Sequence, residues 1–316
     1  MASDTDLLID RRRLKRRVVA WRLFAVVVAV VLVAMVAGQY SGGRIASGPF
    51  ASFGFQRHVA LLRVDGLIFT DPYREQAIYD LVDNSSAEAV IVRIDSPGGG
   101  TFASESLYRA LREVAESKPM VAVMDGVAAS GGYMTAIAAD HIVARESTVT
   151  GSIGVIMEAT NFVGLMEMLG IENEAIRSGP LKARPNPLER MTPEGRAAAQ
   201  QLIDEVHEMF VGMVAERRGL DFATAARLAD GRVYTGATAA TNGLIDELGG
   251  EREARRWLEE THGISADLPL YDVEIQYPID LFDEFVSVIF GKSYLPERLT
   301  LDGLVSVWHP LISLTD

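Results

Sequence analysis

The chain has 316 residues, 48% hydrophobic and 23% charged, enough for one large or two small domains with a sizeable core. Its net charge of −13 argues against a nucleic-acid binder. With no cysteine it has no disulfide, no thiol nucleophile and no thiolate metal site. That absence leaves the compartment open, because a periplasmic domain can do without disulfides.

The N-terminus carries the basic cluster Arg11-Arg12-Arg13-Leu14-Lys15-Arg16-Arg17, followed by an apolar run over 18–38 broken only by Arg22. A run of about 20 apolar residues spans a bilayer as a helix. Arg22 lies near its basic end, where it can snorkel. The positive-inside rule places 1–17 in the cytoplasm and the rest of the chain outside it. A cleaved signal peptide is the competing reading, but the apolar run is long for one. The Gly/Ser-rich stretch over 39–56 reads as a linker.

The body over 57–265 alternates strands and helices. Strand-like apolar runs occur at 58–64, 89–94, 121–124 and 141–144, with helical patterns at 74–82, 104–116 and 132–140. This alternation predicts an α/β domain with a mainly parallel sheet and helices on its faces. Residues 173–176 also read as strand-like. Further helices are expected at 191–219, opened by Thr192-Pro193, and at 221–229, 237–242 and 251–261. The tail over 266–316 is less regular and reads as a packing or oligomerisation segment. Its runs at 281–290 and 304–314 are too short to span a membrane.

Three Gly-containing turns follow strand-like runs: Asp95-Ser96-Pro97-Gly98-Gly99-Gly100, Gly126-Val127-Ala128-Ala129-Ser130-Gly131-Gly132-Tyr133 and Thr150-Gly151-Ser152-Ile153-Gly154. In α/β sheets, sites sit at the carboxyl ends of strands. Ser130, at a strand-to-helix turn among small residues, is where a nucleophile would stand, with backbone N–H groups to hold an oxyanion.

A serine hydroxyl needs a base. None of the five histidines, His58, His141, His207, His262 and His309, falls in a glycine turn, and each reads as structural or surface. Lys182 lies in the proline-rich stretch Pro180-Leu181-Lys182-Ala183-Arg184-Pro185-Asn186-Pro187 beside apolar neighbours. A lysine acts as a base only where desolvation favours its neutral form. Ser152 and Ser178 are the hydroxyls available to orient its amine. A lysine in a loop is ordinarily solvated, so physics alone does not single this one out.

Taken together these segments resemble the bacterial signal peptide peptidase A family, in its short membrane-anchored form. The resemblance runs over about 58–255. It rests on the Asp95–Gly100 and Ala129–Tyr133 segments, on Ala138-Ala139-Asp140 with Ile142-Val143-Ala144, and on Thr150–Ile156. Ser178-Gly179 with Lys182, Asp230–Gly236 and Gly243-Leu244-Ile245-Asp246 complete it. It implies a Clp protease/crotonase-like fold behind one N-terminal transmembrane helix, and a serine endopeptidase with a Ser–Lys dyad. Ser130 would be the nucleophile, Lys182 the general base and Ser152 the group that orients it. The N–H of Gly131 and one from Gly98-Gly99 would form the oxyanion hole. No cofactor and no metal are implied. The implied partners are remnant signal peptides and other hydrophobic peptides, membrane lipid around the anchor, and further copies in a homo-oligomeric ring, a form in which serine and lysine can come from adjacent protomers. The implied location is the bacterial inner membrane, with the catalytic domain on the extracytoplasmic side.

Other readings are a stomatin-cleaving membrane peptidase of similar mechanism, a crotonase-type acyl-CoA enzyme and a scaffold with a degenerate site. The crotonase reading needs an acidic catalytic residue at the site, and the sequence offers no convincing one. An intact serine, lysine and glycine set argues against the scaffold.

Overall fold

The computed structural model describes residues 56–277, together with Trp21 and a strand at Val305–Val307. The basic segment, almost all of the 18–38 run and 39–56 linker, and most of the tail beyond 277 lie outside the described residues. Among the described residues, no helix is long and apolar enough to cross a membrane.

The elements in chain order are β1 (His58–Ile68), α1 (Pro72–Asp83), β2 (Ala87–Gly100), α2 (Thr101–Ser117), β3 (Met120–Ala129), α3 (Gly131–Ala136), β4 (His141–Ala144) and β5 (Val149–Gly151). There follow α4 (Val163–Met168), α5 (Pro193–Arg218), α6 (Phe222–Leu228), β6 (Val233–Thr235), α7 (Gly236–Thr241), β7 (Glu247–Leu248), α8 (Glu251–His262), β8 (Leu270–Asp272) and β9 (Val305–Val307). The described strands form one sheet with the path β6-β5-β3-β2-β1-β8. Strand β4 pairs with β3 and β7, and β9 pairs with β2. All pairings are parallel except β5–β6 and β2–β9.

The central strands are apolar on both faces, as a covered parallel sheet requires. Alternate residues divide between two cores. Leu62, Val92, Ala122 and Met124 face α2, α3 and α5 through Leu107, Leu111, Met134 and Phe210. Val59, Leu61, Ile91 and Val123 face α8 through Ala254 and Leu258. Burying a side chain of this size contributes about 1.5–3 kcal/mol, so the three central strands supply the rigid platform.

Local signals set the helix bounds. Asp71 accepts from the Tyr73 and Arg74 N–H groups and Pro72 opens α1. Thr192 caps α5, Pro193 follows it, and Gly219 closes the helix at φ 62. The helix expected at 132–140 ends at Ala136. The carbonyls of Ile137, Ala138 and Ala139 instead accept from Arg217 and Arg112 at 2.8–2.9 Å. Residues 173–176 form no strand: Ile176 is 97% exposed and the segment lies against no sheet edge. Conversely the tail contributes β8, beside β1, where the sequence showed no strand.

Candidate active site

Three parallel strands end together. Ser96 of β2 stands opposite Ala128 of β3, and Ala129 of β3 opposite Gly151 of β5. The three glycine turns therefore lie side by side at the carboxyl end of the sheet. The Ser130 N–H donates to the Gly151 carbonyl at 2.8 Å. Ser130 itself has φ 53 and ψ −116, a backbone region that suits glycine and costs another residue about 1–3 kcal/mol. It is 1% exposed. The surrounding core over-determines this turn: Tyr133 is fully buried and its hydroxyl donates to the Leu244 carbonyl at 2.8 Å. Burial pushes the Tyr133 phenol up, which keeps it protonated as that donor.

The glycines are there for close approach. A Cβ on Gly99 would overlap the Ile68 carbonyl oxygen. One on Gly132 would lie 2.6 Å from the Ser96 carbonyl oxygen. One on Gly131 would overlap the Ser104 hydroxyl and lie 3.2 Å from the Gly99 nitrogen. Gly131 and Gly99, both expected to offer oxyanion donors, are thus neighbours. Gly98 has φ 105, and its N–H donates to the Ser96 hydroxyl at 3.1 Å. The Asp95 carboxylate accepts from the Val127 N–H at 3.0 Å, tying the first turn to the strand before the second.

Ser152 is 8% exposed and has φ 48; its N–H donates to the Arg232 carbonyl at 2.8 Å. Behind it a Cβ on Gly151 would lie 2.5 Å from the Tyr234 ring. This is the work of the Asp230–Gly236 segment: β6 backs β5 and fixes where Ser152 starts. The Gly243–Asp246 segment works similarly. Asp246 accepts from Arg218 at 2.6 Å and from the Ile142 N–H at 2.8 Å. Burial opposes ionisation of Asp246, but the bonds and charge from Arg218 outweigh it and hold the carboxyl below its ordinary value.

Lys182 is placed differently. It is exposed, in an irregular arm over 154–194 in which no residue is buried. Among the described residues no hydrogen bond joins its amine to Ser130 or to Ser152. Glu189 organises this arm by pairing with Arg177 and with Arg184, the latter at 2.8 Å. The Arg177 bond draws the Glu189 carboxyl below its usual range. Ala183 has φ 58. The structure thus brings Ser130, Gly131, Gly98, Gly99 and Ser152 together, while Lys182 stands exposed on the arm.

The histidines have structural partners. His58 rests against Tyr271, His141 stacks on Trp257 at 4.8 Å, and His262 meets the same Trp257 edge-on. His207 bonds the Ala229 carbonyl at 2.8 Å. His309 lies outside the described residues. Sequence reasoning missed the supporting roles of Asp95 and Ser96, although both stand in a motif it singled out. It also missed Ser104, which reads in sequence as one polar position in a helix.

Comparison with known proteins now bears on this geometry. The model of peptidase family S49 matches residues 112–265, which include Ser130, Ser152 and Lys182. A provisionally named protease of Synechocystis sp. is 38% identical over 186 residues, covering 59% of this chain and 67% of that protein. The chain belongs to peptidase family S49. A provisionally named protease of Methanocaldococcus jannaschii is 40% identical over 59% of this chain and 60% of its own length. A protein of Enterococcus faecium, provisionally named signal peptide peptidase SppA, is 34% identical over 54% of this chain and 50% of its own. The chain thus spans half to two thirds of the length of these relatives. A solved structure of a membrane-bound stomatin-specific protease overlaps 71% of this chain and 99% of its own at 15% identity and TM-score 0.46, a likeness too distant to speak to function.

Proposed function

We propose that this S49 chain is a membrane-anchored serine endopeptidase that degrades remnant signal peptides and other unstructured hydrophobic peptides outside the cytoplasm. The observation that carries the reading is Ser130, held at φ 53 on a buried strand end with Gly131 and the Gly99 nitrogen beside it. A strained serine between two backbone donor segments is the arrangement acyl transfer needs. The Lys182 amine takes the Ser130 proton as Oγ attacks the peptide carbonyl carbon. The oxyanion rests on the N–H of Gly131 and one from Gly98-Gly99. The C–N bond breaks, the leaving amine takes the proton from Lys182, and water then hydrolyses the acyl-enzyme.

Lys182 reaches Ser130 of a neighbouring copy in this proposal. The arm that carries it has no buried residue and exposes Met168 (80%), Leu169 (65%) and Ile176 (97%). A second copy seated on that arm covers these side chains and strips water from the amine, which favours the neutral form a base requires. The anchor over 18–38 holds the assembly on the membrane.

The test is hydrolysis of a quenched apolar peptide by the full chain in detergent. Ser130→Ala and Lys182→Ala are each expected to be folded and inactive. Mixed in equal amounts and allowed to exchange subunits, they recover about a quarter of wild-type activity, because half the serines meet half the lysines across a head-to-tail interface. Full activity in Lys182→Ala removes the lysine from the mechanism, and a mixture that stays inactive places both groups in one chain.

A further inference from the structure

Two hydroxyls on the buried face of α2 have no hydrogen-bond partner among the described residues, Thr101 Oγ1 and Ser104 Oγ. They stand one helical turn apart and are 5% and 0% exposed. Nearby buried hydroxyls are differently placed. Thr135 Oγ1 donates to the Gly131 carbonyl at 2.9 Å, Thr150 Oγ1 to the Ala128 carbonyl at 2.7 Å and Thr148 Oγ1 to the Asp125 carbonyl at 2.7 Å. An orphaned buried hydroxyl costs about 1–3 kcal/mol, which an alanine would avoid. Of the two orphans, Ser104 lies at a decisive spot. Its Oγ occupies the space a Gly131 side chain would need, and that same space borders the Gly99 nitrogen. One hydroxyl therefore stands where the two backbone segments expected to hold the oxyanion meet.

We infer that Ser104 is a positioning residue of the oxyanion site: it sets the spacing between Gly131 and Gly99, and its O–H dipole is stabilised only in the reacting state. The inference rests on the reading of Ser130 as nucleophile. Ser104 acts through the backbone, because its oxygen is fully buried and out of a substrate's reach. In the resting enzyme the hydroxyl is an unmet demand. When negative charge develops beside Gly131 and Gly99, the local field gives the O–H dipole a favourable orientation in a site where water cannot compete. An interaction absent from the ground state and present in the transition state lowers the barrier without tightening substrate binding.

The experiment compares wild type, Ser104→Ala and Ser104→Cys as full chains in detergent, measuring kcat, KM, thermal midpoint and inhibition by an apolar tripeptide aldehyde. The aldehyde adds to a reactive serine and places an oxyanion in the same hole. Ser104→Ala is expected to lose about tenfold to a hundredfold in kcat, with a matching loss of aldehyde affinity. KM stays within about twofold and the thermal midpoint is unchanged or higher. Ser104→Cys, which refills the space with a weak donor, follows alanine in kcat. Should alanine fail to fold, the cysteine variant carries the same comparison. Wild-type kcat and aldehyde affinity in Ser104→Ala overturn the inference and leave the peptidase reading standing. A lower thermal midpoint with kcat and KM failing together makes Ser104 a packing residue and also overturns it. A wild-type chain inert to both peptide and aldehyde overturns the peptidase reading and this inference with it.

Discussion

The serine turn and the lysine arm are built on opposite principles. Around Ser130 every neighbour is fixed: strands buried on both faces, glycines with no room for a Cβ, and a phenol bonded across the core. From 154 to 194 nothing is buried, and order comes from ion pairs, Glu189 gripping two arginines and Glu167 a third. The proposed nucleophile is preorganised by the fold of one chain. The proposed base rides on a segment whose apolar side chains have found no core. The difference teaches that burial fixes one group within the sheet, while a segment held by ion pairs leaves its apolar side chains uncovered.

The widest contrast between the two regions is in their glycines. Gly99→Ala drives a methyl into the Ile68 carbonyl oxygen, where backbone must move. A loss of about 3 kcal/mol or more is expected, with activity abolished. Gly179→Ala meets nothing within 4 Å and is expected to leave the denaturation midpoint unchanged. Urea unfolding of both variants measures the contrast, and equal losses would erase it.

A smaller effect separates the two arginine-bound carboxylates. Asp246 is itself exposed but bonds the largely buried Arg218, so Asp246→Asn, which leaves that guanidinium without its charge partner, is expected to lower stability by about 2 kcal/mol. Its carboxyl is held below its ordinary value, so its contribution is complete above the ordinary aspartate range. That contribution fades as pH falls through the lower folded-state value, because the unfolded state then binds the proton more readily. Wild type is expected to lose stability on acidification more steeply than Asp246→Asn. The weakest effect on stability comes from Glu189→Gln. It frees Arg177 and Arg184 on the arm, leaves the thermal midpoint within about a degree because these half-buried pairs join arm residues only to one another, and still reduces peptide hydrolysis. A midpoint that drops as far as in Asp246→Asn would make the arm part of the folding core.

The strands of the platform were legible because they are apolar on both faces, and 121–124 could hardly be anything but buried. The turns were legible because glycine marks close approach and Ser130 stands among small residues. Short partners were not. Strand β8 has three residues and owes its strand form to the β1 edge beside it, while 173–176 has the right residues and no edge. The arm's proline-rich sequence revealed its irregularity but not its lack of a core. Ser104 looked like one polar position in a helix, since nothing local tells a serine with a partner from one without.

Ser130 occupies a backbone conformation that glycine would adopt without strain. A drift from serine to glycine at this position would relax the turn and yield a more stable, inert protein. Folding therefore offers no protection to the proposed nucleophile, and any lineage that no longer needed its hydroxyl would be expected to lose this residue early while keeping the sheet beneath it intact.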